Sequence, residues 1–510
     1  MRAESGNGEL MSQQRASSIG LHDLPLSGEL RPWWVTLKSN ALLPALIALM
    51  WPLGWLVQPS ESNAYLARIV MLIGINIILA VSLQLINGIG GQFSLGHAGF
   101  MAVGAYMSAY PAAAFMPDFT SDATTANPLV MVVFYLALLL TLTLSAAIIV
   151  GLILLARLSR RAHRFLPGLL IVILFLWFIA DVKIAYESEA MGGYLVWSQT
   201  ILGLQRLFQS LLGHGQQWAQ SLLPWIPLGC RIPLTFLLAL IGGGSIAALA
   251  GLLVGLPTLR LKGDYLAIAT LGFAEIIRVA VTNSAALGKA TGLSLPVYSF
   301  LPEPGEAGPA QRIFPWIYSA MLITIVAVWR IAHSAKGRAL QAVREDEVAA
   351  AATGIDTTSH KVLAFVIGAF FAGVAGGLFA YLDGYLNPNT FGFMKSVEIV
   401  VMVTLGGLGS ISGAIVAAIV LTWLPEFLRS PADWIALPLR PFGVQSTESL
   451  HLPQWLLGGF KAIAEKRMVI YSLLLVAMML LRPRGLLGGR EWWFRRRQAT
   501  PPLTTEGEAP

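Results

Sequence analysis

The chain has 510 residues, of which 56% are apolar and only 12% charged. A soluble domain carries about 25% charged residues, so an ordinary soluble enzyme is excluded, as are a disordered and a collagen-like chain. The formal charge of +7 is too small a surplus to argue for nucleic acid, and the single cysteine, Cys230, allows neither an intrachain disulfide nor a cysteine-based metal site.

What remains is an all-α polytopic membrane protein. Residues 1–40 are mixed in charge and lack a short apolar core with a cleavage site, so they read as a cytoplasmic N-terminal tail. A helix rising about 1.5 Å per residue needs about 20 apolar residues to cross the hydrocarbon. Such runs fall at 41–57, 65–87, 98–115, 128–156, 166–182, 233–257, 264–283, 313–332, 362–382, 396–424 and 467–481. Between 64 and 156 the only charges are Arg68, Asp118 and Asp122.

Basic clusters beside the spans mark the cytoplasmic side. They are Arg31 with Lys38, Arg157 to Arg164, Lys336 to Lys361, and Arg482 to Arg497. A single crossing at 396–424 would leave the last cluster outside. The conflict disappears if that run turns back at Gly406-Gly407-Leu408-Gly409-Ser410, where a helix breaks and irregular backbone is tolerated inside protein. About ten full crossings and one re-entrant or broken helix near 396–424 are therefore expected; the alternative is one long tilted helix and a missed span within 425–466. The stretches 183–232 and 425–466 read as external insertions rich in tryptophan, and 483–510 as a basic cytoplasmic tail.

Four segments carry information beyond hydropathy. The run from Asn87 through Gly88, Gly91, Ser94, Gly96 and His97 to Gly99 is too glycine-rich for a stable helix. Its unwound backbone either faces a translocated solute, as discontinuous helices do in transporters, or forms a close-packed turn; His97 reads as a packed, hydrogen-bonded residue. In 259–278, Asp264 is placed to cap the next helix, and Glu275 and Arg278 share a face as either a structural pair or part of a pathway. The loop 334–361 holds a helix former from Glu345 to Thr353, including Asp346, Glu347 and Ala350, with Gly354 as its C-terminal cap. Its alanine face suits a groove on another protein, or is a solvated connector. Finally, Gly368, Ala372, Gly373 and Gly377 have the spacing of close helix packing. No G-x-x-x-x-G-K-[ST] loop, H-E-x-x-H or G-x-S-x-G motif occurs.

Four ordered stretches, Gly91 to Tyr106, Leu261 to Val279, Gly337 to Asp356 and Val401 to Val416, resemble the LivM-type permease subunit of bacterial branched-chain amino acid ABC importers. The resemblance implies a permease domain over 41–482 in the bacterial inner membrane and no enzyme activity. It makes 334–361 a coupling loop, with Arg344, Glu345, Asp346, Glu347, Ala350 and Gly354 at the ATPase contact. Implied partners are a LivH-type sister permease, two ABC ATPases that use the ATP, a periplasmic amino-acid-binding protein and membrane lipid, with no cofactor on this chain. It places Asn87, Gly91, Ser94, Gly96, His97, Glu275, Gly406 and Gly407 on a candidate translocation path. The stretch Thr291 to Pro296 departs from the TGG-type pattern of relatives. Urea and short-amide permeases share the fold and are the alternative. A different class is an ion-coupled secondary transporter, with Glu275, His97 and Glu398 as ion-binding candidates.

Overall fold

The structure is a computed structural model that describes residues 64–115, 128–140, 228–258, 261, 263–284, 286–295, 310–429, 465–482 and 485–487. The expected spans at 41–57 and 166–182, the N-terminal tail, all of the C-terminal tail but 485–487 and most of both insertions lie outside the described residues. Helix α1 (Ala64–Leu83) continues into a π-helical turn at Gln84–Ile89. There follow α2 (His97–Phe115), α3 (Pro128–Leu140), α4 (Leu228–Thr258), α5 (Asp264–Asn283) and α6 (Ala310–His333). After these come α7 (Ala335–Glu345), α8 (Glu347–Ala352), α9 (Thr357–Asp383), α10 (Phe393–Gly406), α11 (Ile411–Arg429) and α12 (Arg467–Leu481). Among the described residues six of these helices are long and apolar enough to cross a membrane: α1, α4, α5, α6, α9 and α11. The chain is an all-α polytopic membrane protein.

The centre is a crossing of α2, α4 and α9 made possible by absent side chains. A Cβ on Gly104 of α2 would fall 2.2 Å from the Cα of Gly373 of α9. One on Gly376 would fall 2.0 Å from the carbonyl oxygen of Met101. Small residues let membrane helices approach until backbones touch, which is the packing role the spacing in α9 predicts. Around this contact Phe236, Trp316 and Tyr381 meet edge to face, and the Tyr381 hydroxyl donates to the Ser108 carbonyl at 2.9 Å.

The run 396–424 is broken, as charge parity requires. Helix α10 has 14 residues, about 21 Å of rise against a hydrocarbon core of about 30 Å. Gly407 and Gly409 take φ of 108° and 93°, and a Cβ on Gly413 would lie 2.1 Å from the Gly406 oxygen. In a continuous helix residues seven apart are about 10.5 Å apart, so the run is broken and α10 and α11 fold back as a hairpin. Its tip lies at the same end of the bundle as the stretch after α12, where the Leu486 N–H donates to the Leu405 carbonyl at 2.8 Å.

At the opposite end Arg68 at the start of α1 pairs with Asp383 at the end of α9 at 2.5 Å. Tyr65 donates to Glu426 near the end of α11. There β1 (Leu293–Ser294), following α5, pairs antiparallel with β2 (Tyr385–Leu386), following α9.

Several local expectations are corrected. Asp264 is not the cap of α5: Gly263, at φ 59°, holds that position and Asp264 is the first helical residue, still favourable to the helix dipole. The single helix expected from Glu345 to Thr353 is two. Glu345 ends α7, and Asp346 turns the chain and caps α8 by accepting the N–H groups of Val348 and Ala349 at 2.8 and 3.1 Å. Several helices also outrun their apolar cores. Helix α9 begins at Thr357 because Asp356 accepts the Ser359 N–H, so polar residues form its first turn. Similarly α4 starts at Leu228 and α11 runs past Pro425 to Arg429, inside what reads as external insertion.

Candidate functional site

The glycine-rich break unwinds as its composition demands. From Gly90 to Gly96 the chain leaves the helix, and α2 begins at His97. Asn87 closes the loop: its Oδ1 accepts the Ser94 N–H at 3.2 Å, and its Nδ2 reaches the Ser94 carbonyl at 3.5 Å. Asn87 and Ser94 are both buried. The Leu95 N–H donates to the Thr270 hydroxyl at 3.0 Å, and a Cβ on Gly96 would sit 2.6 Å from the Thr270 carbonyl oxygen. The loop is thus pressed against the middle of α5. The Ala98 N–H, in the first turn of α2, donates to Ser396 of α10 at 3.3 Å.

His97 is fully buried, with Nε2 2.8 Å from the Ser82 hydroxyl. Ser82 spends its one proton on the Leu79 carbonyl at 3.0 Å, so His97 donates from Nε2 and Nδ1 is an acceptor. That Nδ1 and both amide atoms of buried Gln92 make no protein hydrogen bond. The first break therefore combines unwound backbone with buried polar groups that have spare hydrogen-bonding capacity, a combination discontinuous membrane helices use in transporters.

Arg344 joins this break to the hairpin. Its Nη1 donates to the Gly88 carbonyl at 2.6 Å. A Cβ on Gly91, whose φ is +64°, would lie 2.6 Å from Arg344 Cγ, and one on Gly409 3.0 Å from Nη1. The two tips also touch directly: Gln84 Nε2 donates to the carbonyls of Gly407 and Ser410 at 3.0 and 3.2 Å. Gly406 packs against Gly413 and Gly407 against Gly485, so these two shape the hairpin by close packing.

Beyond Arg344, the loop presents a surface. Val348, Ala349, Ala351 and Ala352 are exposed and Ala350 is buried. Gly354, at φ 86° with no atom near its missing Cβ, closes α8. The Gly354 N–H donates to Ala351 and that of Ile355 to Ala350, two bonds of a Schellman cap. Glu347 anchors the segment to α9 through Lys361 at 2.6 Å, whereas Glu345 is 81% exposed at its side chain and lies 4.0 Å from Arg344.

Two polar clusters lie among the spans. Arg278 pairs with Glu275 at 2.7 Å and reaches Asn389 at 3.2 Å. Lys395 pairs with Glu398 at 3.1 Å and donates to Asn76 Oδ1 at 3.3 Å, and Asn76 donates to Thr422 at 2.8 Å. Sequence reading took Glu275 with Arg278 and missed Lys395, Asn76, Ser396 and Thr270. The usable signal was a lysine and an asparagine interrupting otherwise apolar runs. Among the described residues no group of His, Cys, Asp and Glu has the arrangement of a metal site.

Comparison with known proteins bears on this architecture directly. The family profile described as "Branched-chain amino acid transport system / permease component" matches residues 65–202 and 184–479. The high-affinity branched-chain amino acid transport system permease protein LivM of Salmonella typhimurium is 33% identical over 302 residues, 55% of this chain and 69% of the relative. The LivH permease of Escherichia coli K12 is 38% identical over 106 residues, 21% of this chain and 34% of its own. The autoinducer 2 import system permease protein LsrC of Enterobacter sp. strain 638 is 30% identical over 215 residues, 40% of this chain and 60% of its own. No solved structure matches. The family match takes in both helix breaks and the segment that carries Arg344, and the chain belongs to the branched-chain amino acid transport system permease family.

Proposed function

We propose that this chain is the LivM-type membrane subunit of an importer of branched-chain or other apolar amino acids in the bacterial inner membrane. It pairs with a LivH-type sister permease, receives solute from a periplasmic binding protein and is driven by two separate ATPases that use the ATP. The chain itself binds no cofactor. The observation that carries the reading is the exposed face of α8, held on the bundle by Glu347–Lys361 and joined through Arg344 to the first helix break. An ATPase bound on this face would bear on a segment already wired to the unwound backbone. Lys336, Arg338, Arg344 and Lys361 at this end of the bundle support a cytoplasmic reading for it, and basic clusters in both terminal tails support the same side for the termini.

The path we assign runs past Asn87, Ser94, Gly96 and His97, with Glu275 on the neighbouring α5. Gly91, Gly406 and Gly407 support it from behind. Uptake of radiolabelled leucine into proteoliposomes tests the reading. Transport is expected only with ATPases, binding protein and ATP all present. Leucine moved by the chain alone down a proton or sodium gradient would establish the ion-coupled class instead, and uptake of urea in place of leucine would establish the amide branch.

A further inference from the structure

Two broken helices meet at one end of this bundle, and one side chain touches both. The loop after the π-turn and the tip of the α10–α11 hairpin abut so closely that a Cβ on Gly88 would lie 2.7 Å from the Gly409 amide nitrogen. Arg344 fills the notch beside that contact. Its stem lies against Gly91, its guanidinium against Gly409, and its Nη1 donates to the Gly88 carbonyl. Glycine shapes the seat: Gly91 and Gly409 both have positive φ, a Cβ on Gly91 would collide with the Arg344 stem, and one on Gly409 would press on its Nη1 at 3.0 Å. Arg344 is the penultimate residue of α7, two before the Asp346 turn that starts α8, so the exposed helix begins three residues beyond Arg344 on a capped connection.

We propose that Arg344 is a positioning residue that transmits displacement of α8 to both helix breaks at once, so that the Gly88–Gly91 loop and the Gly407–Ser410 tip move as a unit. Its guanidinium acts on backbone of the chain itself, although the side chain remains partly exposed at 36%. A planar guanidinium with a fixed fork of donors suits this task better than an ammonium, because it holds direction as well as contact. Charge-assisted hydrogen bonding to an oriented carbonyl keeps the link intact as the segment shifts. Without it, α8 remains bound to its partner while the hairpin tip loses its tie to that motion.

The inference rests on the reading of α8 as the ATPase-docking helix, and the test separates the two. Spin labels are placed at Val348→Cys and, separately, at Leu408→Cys in a Cys230→Ser background; both positions are exposed. Each labelled chain is reconstituted with its sister permease and ATPases, and spectra are compared with and without ATP trapped by vanadate. In the parent both labels respond. In Arg344→Ala the label at 348 still responds, the change at 408 falls at least threefold, and leucine taken up per ATP hydrolysed falls about tenfold, as loss of a charge-assisted hydrogen bond implies. Arg344→Lys, a single-point donor, restores part of both. A full response at 408 in Arg344→Ala overturns the proposal and leaves docking standing. Silence at 348 in the parent overturns docking and the proposal with it. If Arg344→Ala does not assemble, Arg344→Lys carries the same test: a reduced response at 408 supports transmission, and an undiminished one refutes it.

Discussion

Substituting alanine for two glycines should move stability in opposite directions. At Gly376 the new methyl would lie 2.0 Å from the Met101 carbonyl oxygen and 2.9 Å from the Ala105 amide nitrogen. Both are backbone atoms of α2, so no rotamer change relieves the clash. Carbon–oxygen contacts settle at about 3.3 Å, so α2 and α9 must separate by roughly 1.3 Å. A gap of even about 1 Å forfeits up to half of the dispersion energy along the line of contact. Overpacking of this kind costs about 1–3 kcal/mol, with a backbone clash at the upper end, against a helix-propensity gain of about 1 kcal/mol. The net is a loss of about 2 kcal/mol. At Gly272 on α5 nothing lies within 4 Å of the missing Cβ, and only the gain of up to about 1 kcal/mol remains. The two variants should therefore differ by about 3 kcal/mol, roughly two decades in the unfolding equilibrium. Unfolding of the isolated chain in mixed micelles, followed by tryptophan fluorescence, reads the difference. If Gly376→Ala matches or exceeds the parent, the backbone crossing is not a close contact and the packing argument fails.

Asn87→Ala removes the acceptor for a buried Ser94 N–H and should destabilise by about 1–3 kcal/mol; the same micelle titration measures it, and an unchanged midpoint would show that the loop does not depend on this bond. Asp346→Ala removes a cap worth about 1 kcal/mol, so amide exchange over 347–353 should accelerate about fivefold with exchange in α9 unchanged. An unaltered rate would show that α8 does not depend on its cap. Lys395→Met leaves Glu398 without its ion partner and should lower the unfolding midpoint more than the double change Lys395→Met with Glu398→Leu. A double variant less stable than the single one would contradict that account.

Sequence reading recovered what repeats along one helix or counts across the membrane. The break at Gly406–Gly413 was legible because four basic clusters had to face one side, and the Gly88–Gly99 break because glycine alone makes a helix fail. The short helix α8 was legible in position but not in form: Asp346 looked like one of three acids at a helix start, and only its φ of −153° separates a cap from a helical residue. Arg344 was legible as one more cytoplasmic cation, since its partner is a carbonyl 256 residues away that carries no side-chain signal. Lys395 and Asn76 were missed for the same reason. Each interrupts an apolar run in its own helix, but only the third dimension joins them.

The small ladder between Leu293–Ser294 and Tyr385–Leu386 constrains how the bundle can open. It fastens the distal ends of α5 and α9, and the Leu295 N–H adds a bond to the Gly384 carbonyl at 2.9 Å. The Tyr106 hydroxyl of α2 donates to the Leu386 carbonyl at 3.2 Å, bringing a third helix under the same strap. Three helices joined at one rim part more readily at the other. The freer rim is the end where the two glycine breaks lie.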